Sequence, residues 1–383
     1  MQEIQVTKMK NQYIIGLNSG TSFDGIDVAL IKFTKDLKPI FIDGIVFEYP
    51  KIIKKRIELL INNAGAVPGP HLQEISQLNF LLGELFAKAA NKIIKKNKLK
   101  PEDILLIASH GQTIYHHPDY EKIGSYKIKS TLQLGESSVI SERTGITTIS
   151  NFREADIACG GQGAPLMPYL DWILFNKSQN IKAVLNIGGI SNVTVVGKNI
   201  MPVAFDMGPG NALIDLISKK DFDKNGELAF KGTIDFNLIK KALKDSYFKR
   251  KPPKSTGKEY FNQQFIDKYF STCPGKSLLA TLTYCTAKVI EKAFRDFILP
   301  KYTVSEIVIS GGGVKNKTIL RHLNKLLPEM LFNTSDKYHL PSKYKEAILF
   351  ALLGYTSSKG IKNNIPSCTG AKKKVILGKM VRG

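Results

Sequence analysis

The sequence predicts an α/β protein built from two related domains. Three observations carry that prediction. Apolar strands alternate with amphipathic helices, one strand–turn–strand pattern starts twice, and 383 residues exceed what a single ordinary core organises. With 43% hydrophobic and 9% aromatic residues, the chain can bury a sizeable interior and does not read as disordered.

The opening reads as three strands, at 13–17, 26–33 and 39–47, with turn chemistry between them. Helical patterns follow at 51–62 and 71–97, the second carrying Leu78, Leu81, Leu82, Leu85 and Phe86 at helical spacing. An apolar strand at 104–109 runs into His110-Gly111-Gln112-Thr113, and strands near 130–134 and 146–150 flank a helix at 137–143. After a loop at 151–165, a helix at 166–176 leads to a second apolar strand at 183–187. There the pattern restarts, with a glycine turn, strands at 192–196 and 203–205, and a helix running from Asn211 to 219. Helices at 236–246, 261–270 and 277–298 come next, then a strand at 307–310, a glycine triplet and a helix at 316–327. A last helix at 343–358 precedes a strand-like 375–377. The restart is visible in residues 15–22 and 185–192, each an apolar strand, a small-residue turn and the beginning of a second strand.

Charge and cysteine usage narrow the function classes. The 55 basic residues against 33 acidic ones give a formal +22, which invites a nucleic-acid reading. The cations are mostly lysines scattered in short groups such as Lys54-Lys55 and Lys95-Lys96, with no recognition helix or aromatic–basic interleaving. A solvated lysine-rich surface is the simpler reading, and no nucleic-acid partner is expected. Cys159, Cys273, Cys285 and Cys368 form no C-x-x-C pair, which fits a reducing compartment rather than a disulfide framework or zinc cage. No run approaches the ~20 apolar residues that span a bilayer, so a cytoplasmic protein without a membrane partner is expected.

Three motifs carry chemistry. In Gly20-Thr21-Ser22-Phe23-Asp24-Gly25-Ile26-Asp27, glycines and hydroxyls at a hairpin tip let donors converge on a phosphate. Asp24 and Asp27 beside an anion site call for a metal such as Mg²⁺. Strand alternation sends them to opposite faces unless Gly25 bulges. In Asp206-Met207-Gly208-Pro209-Gly210-Asn211, a glycine-rich loop enters a helix N-terminus, and Asp206 ends a strand where it can hold a metal-bound water. Gly311-Gly312-Gly313 follows a strand and permits close approach of a flat ligand such as adenine. Neither a G-x-x-x-x-G-K-[ST] nor a G-x-G-x-x-G occurs.

In this order the motifs resemble the actin-like ATPase superfamily of sugar kinases, heat-shock ATPases and actin. The resemblance implies two RNase H-like domains around a central cleft. The expected extents are 1–178, to which 346–383 returns, and 179–345. The closer resemblance is to the anhydro-N-acetylmuramic acid kinases. It rests on residues 19–27, S-H-G-Q-T at 109–113, F-R-E-A-D-I-A-C-G-G-Q-G-A-P-L-M-P at 152–168, 186–192, 208–211, P-K-S-T-G-K-E-Y-F at 253–261 and 311–313, with 367–371 preceding Leu377-Gly378.

That resemblance implies an ATP- and Mg²⁺-dependent reaction. Water opens the 1,6-anhydro bridge of anhydro-N-acetylmuramic acid and the freed 6-oxygen takes the γ-phosphate. It implies Asp156 as the base. Arg153, His110, Gln112 and Glu346 are the expected substrate contacts. Gly20, Thr21, Ser22, Asp24, Gly25, Asp27, Gly188, Gly189, Gly208, Gly210, Asn211, Gly311, Gly312 and Gly313 are expected at ATP, with Asp24 and Asp206 holding Mg²⁺ directly or through water. A homodimer is an open expectation. Three positions depart from the family pattern: Asn18 for Met, Asn151 for Asp and Met207 for Thr. The last is expected to remove a hydroxyl near the phosphates, and Asn151 a charge that bears on Arg153. The rival readings are a kinase of another sugar or carboxylate and a non-catalytic ATP-binding protein.

Overall fold

A computed structural model describes residues 12–20, 23–62, 71–218 and 223–383. The chain divides into two compact units, one running from its start through Ile173 together with His339–Gly383, the other Leu174–Tyr338.

In the first unit, β1 (Tyr13–Ser19), β2 (Gly25–Phe33) and β3 (Pro39–Glu48) form an antiparallel meander. β4 (Ile104–Ile123) then pairs parallel to β1, β5 (Tyr126–Leu134) folds back on β4, and β6 (Thr148–Ser150) pairs parallel to β4. The second unit repeats the scheme. β7 (Ile181–Ile187), β8 (Ile190–Val196) and β9 (Val203–Pro209) form the meander, while β10 (Val304–Ser310) and β11 (Leu331–Thr334) add parallel strands. Both sheets therefore share one order: third, second and first strands of the meander, then two parallel strands. That is the RNase H-like arrangement, and it gives the sequence restart its structural meaning.

β1, β2 and β8 carry runs of consecutive buried residues, as strands covered on both faces do. In the first unit Ile15, Leu17, Val28 and Leu30 pack with Leu78, Leu82, Phe86 and Ile93 of the helix His71–Lys96. In the second, Leu185, Val193 and Phe205 pack with Leu282, Val289 and Phe294. Each fully buried Leu or Ile of this kind contributes about 1.5–3 kcal/mol.

The helix Lys345–Ser358 crosses the other face of the first sheet. Gly16 makes that approach possible, since a Cβ there would lie 1.9 Å from the Ala347 carbonyl oxygen. Tyr344 stacks on Phe41 and Lys345 pairs with Asp171 at 2.9 Å, so the return to the first unit begins before position 346.

Two local readings are revised. β4 continues through His110 to Ile123, because pairing with β5 rather than burial sustains it. Residues 375–377 form no strand. The Asn364 side chain accepts from the Val375 N–H and that of Asn363 from the Leu377 N–H, while the strand β12 (Lys379–Val381) lies beyond them, antiparallel to β6.

Candidate active site

In the first unit, β1, β4, the segment 151–165 and the helix Lys345–Ser358 bring a polar cluster together. Asn18 at the end of β1 is buried and donates to Glu346 at 2.6 Å, so this departure from the family pattern sits within the candidate site. Asp27 is half-buried, and burial, followed by the Glu346 charge, raises its carboxyl to about 6. No bulge interrupts β2 at Gly25. Asp24, one residue before the strand, is exposed and paired with Lys54 at 2.5 Å, apart from this cluster.

The expected sugar contacts are distributed differently from the prediction. Glu346 is exposed at the start of its helix. Gln112 is buried, its Oε1 accepting from the Ser19 hydroxyl at 2.6 Å, so it braces the hairpin rather than facing a ligand. His110 is buried as well, stacked on Phe350 with centroids 4.4 Å apart. Its Nε2 accepts from Arg153 Nε at 3.0 Å. Arg153 also donates from Nη1 to the Gly163 carbonyl at 2.8 Å, and burial lowers it to about 10.

Asp156 is the principal correction. The segment read as a loop contains a short helix, Glu154–Ala158, which turns Asp156 fully inward. Oδ1 accepts from Asn364 Nδ2 and Thr369 Oγ1, both at 2.8 Å, and Oδ2 accepts from the Gly163 N–H at 2.9 Å. A general base needs a lone pair that water can reach, and this carboxylate is enclosed and held by three donors. It anchors the glycine-rich segment to the C-terminal tail. Asn151, with positive φ, accepts from Ser150 and donates to Glu154 at 2.5 Å, which shapes the entry to that helix.

In the second unit the three glycine elements interlock around Ile187. The N–H groups of Gly210 and Ala212 donate to the Gly189 carbonyl at 2.8 and 3.0 Å, and that of Asn211 donates to the Gly188 carbonyl at 2.7 Å. These groups dock the loop on the hairpin tip and are not free for an anion, contrary to the helix-terminus reading. A Cβ at Gly210 would lie 2.3 Å from the Gly188 oxygen. Gly311 and Gly313 serve the same closeness, since Cβ atoms there would strike Asn186 and Ile187. Gly312 alone of the triplet faces open space, with only Asn211 Nδ2 near at 3.8 Å. Met207 is fully buried in the core, so the missing threonine hydroxyl would not have faced the glycine loop.

Asp206 ends this arrangement in a different state from Asp156. It is half-buried, its Oδ2 accepts from the Thr256 N–H at 3.0 Å, and Oδ1 has no hydrogen-bond partner among the described residues. Burial raises its carboxyl to about 6, with Glu259 adding to the rise and the Thr256 N–H and Lys254 opposing it. The segment 253–261, whose motif implies no role by itself, supplies these neighbours. Lys254 is buried over Tyr247 and Phe297 and lowered by desolvation to about 8. Lys258 lies over the hairpin tip, where a Cβ on Gly189 would meet its Cε at 2.8 Å. Thr21 and Ser22 lie outside the described residues, and Gly20 meets nothing within 4 Å at its Cβ position.

The RNase H-like sheet, present once in each unit, is the doubled fold of the actin-like superfamily, to which two-domain sugar kinases belong. The chain belongs to the anhydro-N-acetylmuramic acid kinase family, whose model matches residues 12–383. It is 43% identical over 395 residues to the anhydro-N-acetylmuramic acid kinase of Caldanaerobacter subterraneus subsp. tengcongensis, with 98% of each chain covered. It is 40% identical to that of Francisella tularensis subsp. novicida (96% of this chain, 98% of that one) and 41% to that of Clostridioides difficile (96% and 97%). A solved ROK hexokinase from Thermus thermophilus gives a TM-score of only 0.37 at 12% identity, covering 90% of this chain and 99% of that one. That likeness is too distant to bear on function. No helix among the described residues is long and apolar enough to cross a membrane.

Proposed function

We infer that this chain is an ATP-dependent kinase of anhydro-N-acetylmuramic acid. It adds water across the 1,6-anhydro bridge and transfers the γ-phosphate to the 6-oxygen, giving N-acetylmuramic acid 6-phosphate and ADP. The reading rests on family membership across residues 12–383, and the local chemistry agrees with it. Its place would be in peptidoglycan recycling, and its use of ATP suits the cytoplasm.

The attacking water must lose a proton. Asp206 suits that task better than Asp156, since it has an open Oδ1 and a carboxyl raised to about 6, near the working pH. Glu346 and Arg153 are the side chains of the first unit offered to the sugar. Lys258, stretched over Gly189, is offered to the nucleotide phosphates.

Mg²⁺ would accompany the nucleotide. Among the described residues no group of three or more His, Cys, Asp or Glu gathers at one point. That fits an ion held mainly by phosphate oxygens and water, with Asp24 as an outer partner. Bound there, it would neutralise charge on the transferring phosphoryl group. Asp206 is assigned to water rather than to metal.

The test is ³¹P NMR of the protein with ATP, Mg²⁺ and 1,6-anhydro-N-acetylmuramic acid. A sugar 6-phosphate signal is expected from wild type, formed about 10²–10⁴-fold more slowly by Asp206→Asn. No sugar phosphate from a folded wild type would sink the reading. Turnover of Asp206→Asn close to that of wild type would return the base to another carboxylate.

A further inference from the structure

Among the described residues of its own unit, no carboxylate contacts the Arg153 cation. Its hydrogen bonds go to an imidazole nitrogen and a backbone carbonyl, and its Nη2 has no partner among the described residues. Glu346 is felt only as a charge that favours the guanidinium. Nη2 is thus left able to donate to an anionic oxygen that the described residues do not supply.

The direction is set by His110. Arginine only donates, so Nε2 of His110 must accept, and the ring is the neutral tautomer with its proton on Nδ1. An imidazolium would oppose two N–H groups. Phe350 stacks on the ring at an interplanar angle of 24° and holds its plane, while the bond from Arg153 selects the face of the ring that carries Nε2. The groups that face it are Arg153 from the 151–165 segment, Phe350 from the helix, the Gly111 backbone and His116 along its own strand. Burial, with Arg153 and then His116, pushes it well below the usual histidine range, so the accepting form persists in mildly acid solution.

We propose that His110 is a positioning residue that holds Arg153 through its Nε2 acceptor and presents Nη2 to an anionic oxygen of a substrate, a sugar carboxylate or a phosphoryl group. The ligand side of this inference rests on the kinase reaction proposed above. The Arg153–His110 bond does not.

Two variants separate positioning from packing. His110→Phe keeps the ring over Phe350 and removes the acceptor, whereas His110→Gln restores an acceptor near the place of Nε2. Against 1,6-anhydro-N-acetylmuramic acid, His110→Phe is expected to lower kcat/KM roughly 10- to 100-fold, with His110→Gln recovering most of the loss. Wild-type kinetics for Phe, or equal losses in Phe and Gln at unchanged Tm, would overturn the proposal. The corresponding anhydro-N-acetylglucosamine, which lacks the lactyl acid, identifies the anion. A loss confined to the acid-bearing sugar assigns Nη2 to the carboxylate, and a rise in KM for ATP assigns it to phosphate.

An activity-independent measurement covers the case in which wild type turns over neither sugar. In ¹⁵N-histidine-labelled protein, His110 should be the Nδ1–H tautomer at neutral pH. It should remain neutral on mild acidification and titrate closer to ordinary histidine in Arg153→Gln. An Nε2–H ring in wild type would overturn the proposal.

Discussion

Asp156 and Asp206 occupy comparable sequence, each in a glycine-rich stretch, yet the two units treat them oppositely. The first unit encloses Asp156 completely and meets both of its oxygens with donors from Asn364, Thr369 and Gly163. The second leaves Asp206 half-buried with one donor, and desolvation outweighs that hydrogen bond and raises its carboxyl to about 6. A carboxylate can be buried either to tie segments together or to be kept basic. The donor count tells which.

The largest expected effect breaks the comparison in activity. Asp206→Asn should reduce turnover by about 10²–10⁴-fold, the usual range for a lost general base, measured as sugar 6-phosphate formed per unit time. The same substitution should make the protein more stable at pH 7. A carboxyl raised to about 6 in the fold is held deprotonated at a cost that is fully present above that pH and fades as pH falls toward the unfolded value of 3.8. Removing the charge relieves a penalty on the order of 1–3 kcal/mol, visible as a shift in denaturation midpoint at pH 7 that shrinks by pH 4.

Asp156→Asn should do the reverse. One of its three donors would face an amide NH₂, costing roughly 1–3 kcal/mol in urea denaturation, while turnover of the folded fraction falls far less than in Asp206→Asn. Equal loss of turnover in both variants would end the distinction. The pH profile sharpens it: kcat/KM should decline as pH drops through about 6, where Asp206 takes up its proton, and that limb should be absent from the residual activity of Asp206→Asn. The smallest effect concerns the hairpin tip. Lys258→Met should raise the KM for ATP by about tenfold, the worth of one partly exposed charge contact, with the sugar KM unmoved. Gly189→Ala, whose added methyl would crowd Lys258, should reproduce part of that rise.

Much of the architecture was legible because it is written locally. Short apolar runs mark β1, β2, β7 and β10, and the glycine turns after β7, β9 and β10 mark where backbones meet closely. The restart at 185–192 announced a second sheet, though the shared strand order became visible only in the folded chain. Chemical residues were found by type and motif, yet their orientation was misjudged at three places. Gln112 turns inward to Ser19, His110 turns to Arg153 and Asp156 turns to the tail. The string 253–261 is visible as a motif in the sequence, and only the fold gives it a role, with Thr256 beside Asp206 and Lys258 beside Gly189.

The sequence by itself determined which segments become strands, where glycine admits close backbones, and which residue types stand at the chemical positions. These follow from periodicity and from the steric limits of a few residues. Only the tertiary structure decided what each carboxylate does, because its donors are remote in the chain. Asn364 and Thr369 lie 208 and 213 residues beyond Asp156, and Thr256 lies 50 beyond Asp206. Hydrogen-bond satisfaction and desolvation depend on what surrounds a group in space, and no local pattern records that surrounding.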